Sequence, residues 1–143
     1  MKIKRAFLAS MYTYLASLAV AIIGAFIFNA GTADPNEIHP VLWIVGVLGP
    51  IVFAWIFSTW YFRGSHVAQG RGQGLLLGIL MIITGFVLDV ITVLPTAGGF
   101  DNAITLLVSY YTQWAFWVTA VLVIFMCVLV GGNVRQAASS SSS

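Results

Sequence analysis

The chain has 143 residues, of which 60% are hydrophobic and only 7% are charged. A soluble domain has about 25% charged residues, so this chain has too few charges to cover a surface in water, and it is too apolar to be disordered. A net charge of +2 provides no basic surface for a nucleic-acid partner, and a single cysteine excludes a disulfide framework. The composition predicts a small integral membrane protein.

Four apolar stretches are each long enough to cross a bilayer, which takes about 20 helical residues. They cover residues 6–28, 41–62, 74–94 and 103–130. We expect each to be an α-helix, because a helix satisfies its own backbone hydrogen bonds in lipid. The sequence therefore predicts an all-α fold: one four-helix membrane bundle over residues 1–138, followed by a low-complexity serine tail over residues 139–143.

The charges between these stretches predict how the bundle is oriented. If the chain crosses the membrane four times, all six Lys and Arg residues lie on one side, and Asp34, Glu37 and Asp101 lie on the other. Because Lys and Arg favour the cytoplasmic side, both termini are predicted to be cytoplasmic, in a multi-pass protein of the cell (inner or plasma) membrane. Asp101 is also expected to be the N-cap of the fourth helix.

The first predicted helix carries a stripe of small and polar residues. Ser10, Ser17 and Gly24 recur every seven residues, with Tyr14 and Ala21 between them. This spacing is typical of close, left-handed helix packing in membranes. The stripe is interpreted as a packing surface, and a polar half-channel is the alternative.

The second predicted helix contains a patch of small residues, Gly46 and Gly49, next to Pro50. The proline removes one backbone hydrogen bond and can bend the helix. The patch is consistent with packing or with a binding crevice. Trp60 and Tyr61, near the end of the same helix, are expected at a membrane–water interface.

Asp89, in the third predicted helix, is the only Asp, Glu, Lys, Arg or His inside the four stretches. A charged carboxylate near the bilayer centre costs about 2.5–3.5 kcal/mol on insertion scales, so this side chain is expected to face protein or water. Helical spacing places small residues on the same face, which predicts close contact with another helix. The residues of this face are Gly74, Gly78, Gly85, Asp89 and Thr92.

A depth count suggests partners for this carboxylate. Asp89 lies six residues before Pro95, or about 9 Å at 1.5 Å per residue. The same depth in the fourth predicted helix reaches Tyr110 and Tyr111, with Gln113 one turn deeper. Hydroxyl and amide groups can both donate to a carboxylate. The candidate site for a proton, an ion or a ligand is therefore Asp89, Tyr110, Gln113 and Thr92; the alternative is a structural carboxyl that joins the third and fourth helices.

A glycine-rich segment with one cation opens the third helix. Backbone N–H groups at a helix start can bind an anion, so Arg71 and Gly72 are candidates for contact with a lipid phosphate, with a flexible basic loop as the alternative. The segment lacks the Lys and Ser/Thr of a nucleotide-binding loop. His39, with the neighbouring acids, follows no recognised metal-ligand spacing, so no metal and no cofactor are predicted.

The sequence supplies no nucleophile–base pair and no metal-ligand set, so an enzyme is not expected. The first interpretation of function is an accessory, assembly or regulatory subunit that binds other transmembrane helices or lipids. The alternative is an oligomeric transporter or channel, coupled to protons or cations, that uses Asp89. The predicted partners are membrane lipids and either other membrane-protein subunits or further copies of this chain.

Overall fold

The computed structural model describes residues 2–29, 40–64 and 67–140, leaving aside the side chains of residues 28–29, 40–43, 96 and 135–140. Five helices follow one another: α1 (Ile3–Asn29), α2 (Pro40–Phe62), α3 (Arg71–Thr96), α4 (Phe100–Tyr111) and α5 (Trp114–Ser140). Within the described residues all regular structure is α-helical, so the predicted all-α fold is confirmed. Asp34, Glu37, His39 and the side chain of Arg135 lie outside this description.

Four of the five helices are long and apolar enough to cross a membrane, as predicted. The candidate spans are Ile3–Ile27, Ile44–Phe62, Arg71–Pro95 and Trp114–Val134. Large apolar side chains cover their outward faces, and Phe26, Ile83 and Val121 are each more than half exposed. Continuous apolar faces of this kind are rare on soluble monomers, whereas lipid tails are as apolar as the side chains themselves.

The long helices form a ring in the order α1, α2, α5, α3. Each helix packs on its two neighbours; across the ring α2 and α3 touch only slightly, and α1 and α5 share no contact between described residues. Arg5 near the start of α1 donates a 2.7 Å hydrogen bond to the Trp60 carbonyl near the end of α2. The Gly70 N–H, just before α3, donates a 3.0 Å bond to the Gly131 carbonyl late in α5. The Phe62 ring at the end of α2 also lies 3.1 Å from where a Cβ of Gly131 would be, so α1 and α3 run in one direction and α2 and α5 in the other.

This arrangement gathers the cations of the described chain at one end of the bundle, which we call the basic end. Its cations are Lys2, Lys4, Arg5, Arg63 and Arg71. The Arg5 guanidinium also lies over the Trp60 ring, 4.3 Å from its centroid. A cation over an aromatic face is attracted by the ring quadrupole, so this pair fastens the start of α1 to the end of α2.

The buried core occupies the half of the bundle next to the basic end. Its largest members, Tyr61 and Phe62, are fully buried, and their rings meet edge to face at 5.0 Å. Tyr61 was expected at a membrane–water interface, and its place at the end of α2 leaves that a prediction; its ring is covered by the bundle. The core residues are Ala6, Ala9, Ala54, Tyr61, Phe62, Val67, Leu77, Met81, Val123, Cys127 and Val130.

Two glycines bring α3 and α5 into close contact. A Cβ atom on Gly78 would lie 2.8 Å from Ile124 Cα. A Cβ atom on Gly74 would overlap the Cys127 carbonyl oxygen. Side chains at these positions would separate the helices, so the small residues are what allow the backbones to approach.

The fourth predicted helix, over residues 103–130, differs from the structure, where this stretch forms two helices. Thr112 and Gln113 separate α4 from α5. The Thr112 hydroxyl lies 2.9 Å from the Val108 carbonyl and 3.0 Å from the Ser109 carbonyl. Back-bonding of Ser and Thr onto the preceding turn bends helices and favours a bend in this segment, which contains neither Pro nor Gly. Thr13 and Thr119 make the same bond in unbroken helices, so it does not by itself explain the break.

The ends of this region also differ from expectation. The N-cap of α4 is Gly99, so Asp101 lies in the first turn rather than at the cap. There its carboxylate still favours the positive end of the helix dipole. At the other end α5 continues to Ser140, into the segment predicted to be a serine tail.

Candidate functional site

The Asp89 carboxylate joins three helices. Tyr14 on α1 donates a 2.8 Å hydrogen bond to Oδ1, and Tyr111 at the end of α4 donates a 2.7 Å bond to Oδ2. Both oxygens therefore accept from neutral hydroxyl groups. Short hydrogen bonds to a carboxylate are stronger than those between neutral groups, and these two hold the carboxylate plane in a fixed orientation.

The structure brings the other predicted site residues close to Asp89 but in different roles. The Thr92 hydroxyl lies 3.3 Å from the Tyr14 hydroxyl and 2.9 Å from the Leu88 carbonyl of its own helix. Tyr110 and Gln113 line the cavity beside Asp89, but the described hydrogen bonds to the carboxylate come from other residues. The donors are Tyr14, which the sequence placed on the stripe of the first helix, and Tyr111, which the depth count reached.

The break between α4 and α5 sets the position of Tyr111. Because the helix ends at this residue, its carbonyl is free of the usual partner four residues on, and the Trp117 indole donates a 3.0 Å hydrogen bond to it. The Tyr111 ring packs 4.6 Å from Phe116 and 5.1 Å from Phe86, centroid to centroid. Packing against these two rings holds the Tyr111 ring, and its hydroxyl group bonds Asp89.

A cavity of about 400 Å³ lies between α1, α2, α3 and α5, beside Asp89. It exists because several of its wall residues are small: at Gly46 nothing lies within 4 Å of an added Cβ, and at Gly85 only Tyr14 Cδ2 does, at 3.9 Å. The described lining residues are Ser10, Thr13, Tyr14, Ser17, Leu18, Ala21, Val45, Gly46, Val47, Pro50, Met81, Ile82, Gly85, Phe86, Asp89, Tyr110, Gln113, Ala115, Phe116, Thr119, Ala120 and Val123.

The cavity occupies the half of the bundle remote from the basic end. Met81 and Val123 belong both to its lining and to the buried core, and Ser10 beside them is only 1% exposed. The core therefore forms the floor of the cavity. A ligand in it would be separated from the basic end by Tyr61 and Phe62 and the packed residues around them.

Asp89 is the one Asp, Glu, Lys, Arg or His among the described lining residues. Four serine and threonine hydroxyl groups also line the cavity, and each donates to a carbonyl of its own helix. The bonds are Ser10 to Ala6 at 2.9 Å, Thr13 to Ala9 at 2.8 Å, Ser17 to Thr13 at 2.7 Å and Thr119 to Ala115 at 2.8 Å. Their oxygens can still accept, so these four groups present lone pairs to the cavity, whereas the Tyr110 hydroxyl and the Gln113 amide can both donate and accept.

The predicted packing residues fall into two groups. Gly74 and Gly78 lie at the α3–α5 contact, whereas Gly85 faces Tyr14 and the cavity. On α1, Gly24 is buried, while Ser10 and Ser17 line the cavity. The face predicted for the third helix thus contacts α5 in its first half and lines the cavity in its second half.

Arg71 and Gly72, the candidates for a lipid phosphate, lie far from this site. Both are exposed in the first turn of α3, and the 18 residues that separate Arg71 from Asp89 span about 27 Å. The Arg71 side chain passes over Gly132, with Cγ 3.2 Å from where a Cβ of that glycine would be. Their predicted role is therefore separate from the chemistry at Asp89.

No known protein family, curated protein or solved structure matches this chain. The chemistry of the site follows from its own residues: a carboxylate in a long apolar helix, two hydroxyl donors that orient it, and a cavity beside it.

Proposed function

We propose that this chain is a multi-pass protein of the cell membrane that binds and moves protons or cations through Asp89. The observation that carries the proposal is the cavity of about 400 Å³ beside this carboxylate, which lies inside a candidate span. An ionisable residue within a membrane helix is costly and is retained mostly for function. A purely structural carboxyl would need its two tyrosine donors but no adjoining space.

The same proposal includes the orientation of the bundle across the membrane. The basic end faces the cytoplasm, since Lys and Arg concentrate there, and the termini lie with it. Asp89 then sits toward the outer side, about 9 Å from Pro95 along the helix. The core forms the inner barrier, so a bound cation reaches the inner side only when the helices around Tyr61 and Phe62 move apart. An oligomer of such bundles is compatible with the apolar outer faces.

The test is cation or proton flux in proteoliposomes. Wild-type protein should carry a flux driven by a pH or cation gradient, and Asp89→Asn should abolish it, because an amide keeps the shape of the side chain but cannot release a proton or carry a negative charge. Asp101→Asn is the matched control, since this acid is exposed on the first turn of α4, outside the cavity lining. It should leave the flux unchanged.

Two outcomes would overturn the proposal. A flux that is equal in wild type and Asp89→Asn would remove Asp89 from the transport path. No flux in either protein would favour the accessory-subunit interpretation, and a stable complex with a second membrane protein, purified from native membranes, would then support it. Circular dichroism and size-exclusion profiles that match wild type establish that the variants are folded.

A further inference from the structure

We infer that the cavity beside Asp89 binds an organic ammonium ion with an apolar body. This inference rests on the proposed function, and it names the chemical class of the ligand. Three properties of the cavity carry it: its single charge, its aromatic side and its apolar volume.

The only charge that the described cavity lining can carry is negative. The described lining contains one carboxylate and no Lys, Arg or His. A partly buried charge is costly unless it is paired, and the two tyrosine donors orient Asp89 without neutralising it. The hydroxyl groups of Ser10, Thr13, Ser17 and Thr119 are turned to their own helices, so they present oxygen lone pairs to the cavity rather than donors. The walls therefore favour a cation over an anion.

Three aromatic residues line the cavity on the side of Asp89. Phe86, Tyr110 and Phe116 line it together with Asp89, and the Tyr110 and Phe116 rings lie 5.7 Å apart. A ring face attracts a cation, and quaternary ammonium groups are recognised by aromatic side chains in this way. A small hydrated metal ion would be better served by oxygen ligands than by rings.

The remaining wall is apolar and has room for a hydrocarbon group. Leu18, Val47, Ile82 and Val123 line it. A volume of about 400 Å³ falls within the range of small-molecule sites. Burial of an apolar substituent there removes hydrocarbon surface from water, which favours binding. An inorganic ion gains nothing from this surface, whereas an aryl or alkyl ammonium ion uses both the charge and the volume.

The test uses a matched pair of probes, benzyltrimethylammonium and its neutral carbon isostere neopentylbenzene. Binding to the purified full chain in nonionic detergent is measured by equilibrium dialysis, with empty micelles subtracted. The ammonium ion should bind saturably, and Asp89→Asn should weaken it by about tenfold or more, which corresponds to about 1.4 kcal/mol. Neopentylbenzene should show no binding that depends on Asp89, and Asp101→Asn should bind the ammonium ion like wild type.

A second variant keeps the carboxylate and removes the space. Gly85→Leu places a side chain in the cavity next to Tyr14 and should abolish binding of benzyltrimethylammonium with Asp89 intact. Equal binding of the two probes, or ammonium binding that survives both Asp89→Asn and Gly85→Leu, would overturn the inference.

The two proposals fail in different ways. If benzyltrimethylammonium does not bind but an inorganic cation or proton flux still depends on Asp89, the ligand class is wrong and the proposed function stands. If the ammonium ion binds through Asp89 but no flux of any cation is found, the site binds its ligand without transporting it, and the proposed function fails while the inference stands.

Discussion

Gly78 and Gly85 lie seven residues apart on one side of α3 but meet different surroundings. At Gly78 the Ile124 backbone of α5 leaves no room, because an added Cβ would lie 2.8 Å from its Cα atom. At Gly85 the nearest atom to an added Cβ is Tyr14 Cδ2, at 3.9 Å, an ordinary contact distance. The same residue type is therefore required for packing at one position and preserves a cavity at the other.

This difference gives a prediction about stability. Gly78→Ala should destabilise the bundle by about 1–3 kcal/mol, the usual cost of overpacking. For Gly85→Ala the free energy of unfolding should stay within about 0.5 kcal/mol of wild type, because the added methyl group makes only an ordinary contact and overpacks nothing. Thermal unfolding in detergent, followed by circular dichroism, measures both. If the two variants melted at the same temperature, the assignment of Gly78 to the close helix contact would be wrong.

At the candidate site, the sequence identifies Asp89 but not its donors. One acid in four apolar stretches stands out by composition alone. Its partners depend on the direction of each side chain and on where a helix ends: Tyr110 and Tyr111 are adjacent in sequence, and only Tyr111 bonds the carboxylate. Tyr14 is visible on its stripe, but nothing in the sequence tells which helices are neighbours in the ring.

At the scale of the element, the break between α4 and α5 is the main departure from the predicted helices. Apolar length alone favours one continuous helix over 103–130. The local signal is polar: Ser109, Thr112 and Gln113 interrupt the apolar run, and the Thr112 hydroxyl competes for the carbonyls of the preceding turn. The Trp117 indole then occupies the Tyr111 carbonyl that the break leaves open.

Loss of the hydrogen bond from the Trp117 indole should make the segment between α4 and α5 less stable. Trp117→Phe keeps an aromatic ring but removes the N–H donor, and a typical net hydrogen bond contributes about 0.5–1.5 kcal/mol. Amide hydrogen exchange should therefore speed up over residues 112–116, with the rest of the chain little affected. Trp55→Phe, at an exposed tryptophan of α2 away from the break, is the control and should not change exchange there. Similar effects of the two substitutions would mean that the indole bond does not hold the break.

At the scale of the whole molecule, the bundle places its positive charge at one end and its cavity in the opposite half. Length and hydropathy predict the four long helices, because a span needs about 20 apolar residues whatever its neighbours are. They do not predict the order of the ring. The contacts that decide it, such as Gly78 on Ile124 and Tyr14 on Asp89, join residues far apart in sequence.

The distribution of charge predicts the topology. Reporter fusions after Gly132, and within residues 66–71, should read as cytoplasmic, whereas fusions near Glu37 should read as external. The physical reason is the preference of Lys and Arg for the cytoplasmic side. The side of each fusion point is measured with two reporters, one active only inside the cell and one active only outside it. An external C-terminus would contradict four crossings.

The two donors of Asp89 lie on opposite sides of it in the chain: Tyr14 precedes it by 75 residues and Tyr111 follows it by 22. A ribosome therefore completes α1 before the acidic third helix leaves the insertion machinery, and completes the second tyrosine only afterwards. If the candidate spans insert in chain order, the carboxylate meets the Tyr14 hydroxyl already in place, and a hydrogen bond to it lowers the cost of burying the acid. The second donor, Tyr111, is made after α3 and before α5, so the carboxylate gains this partner only when a later part of the chain is present.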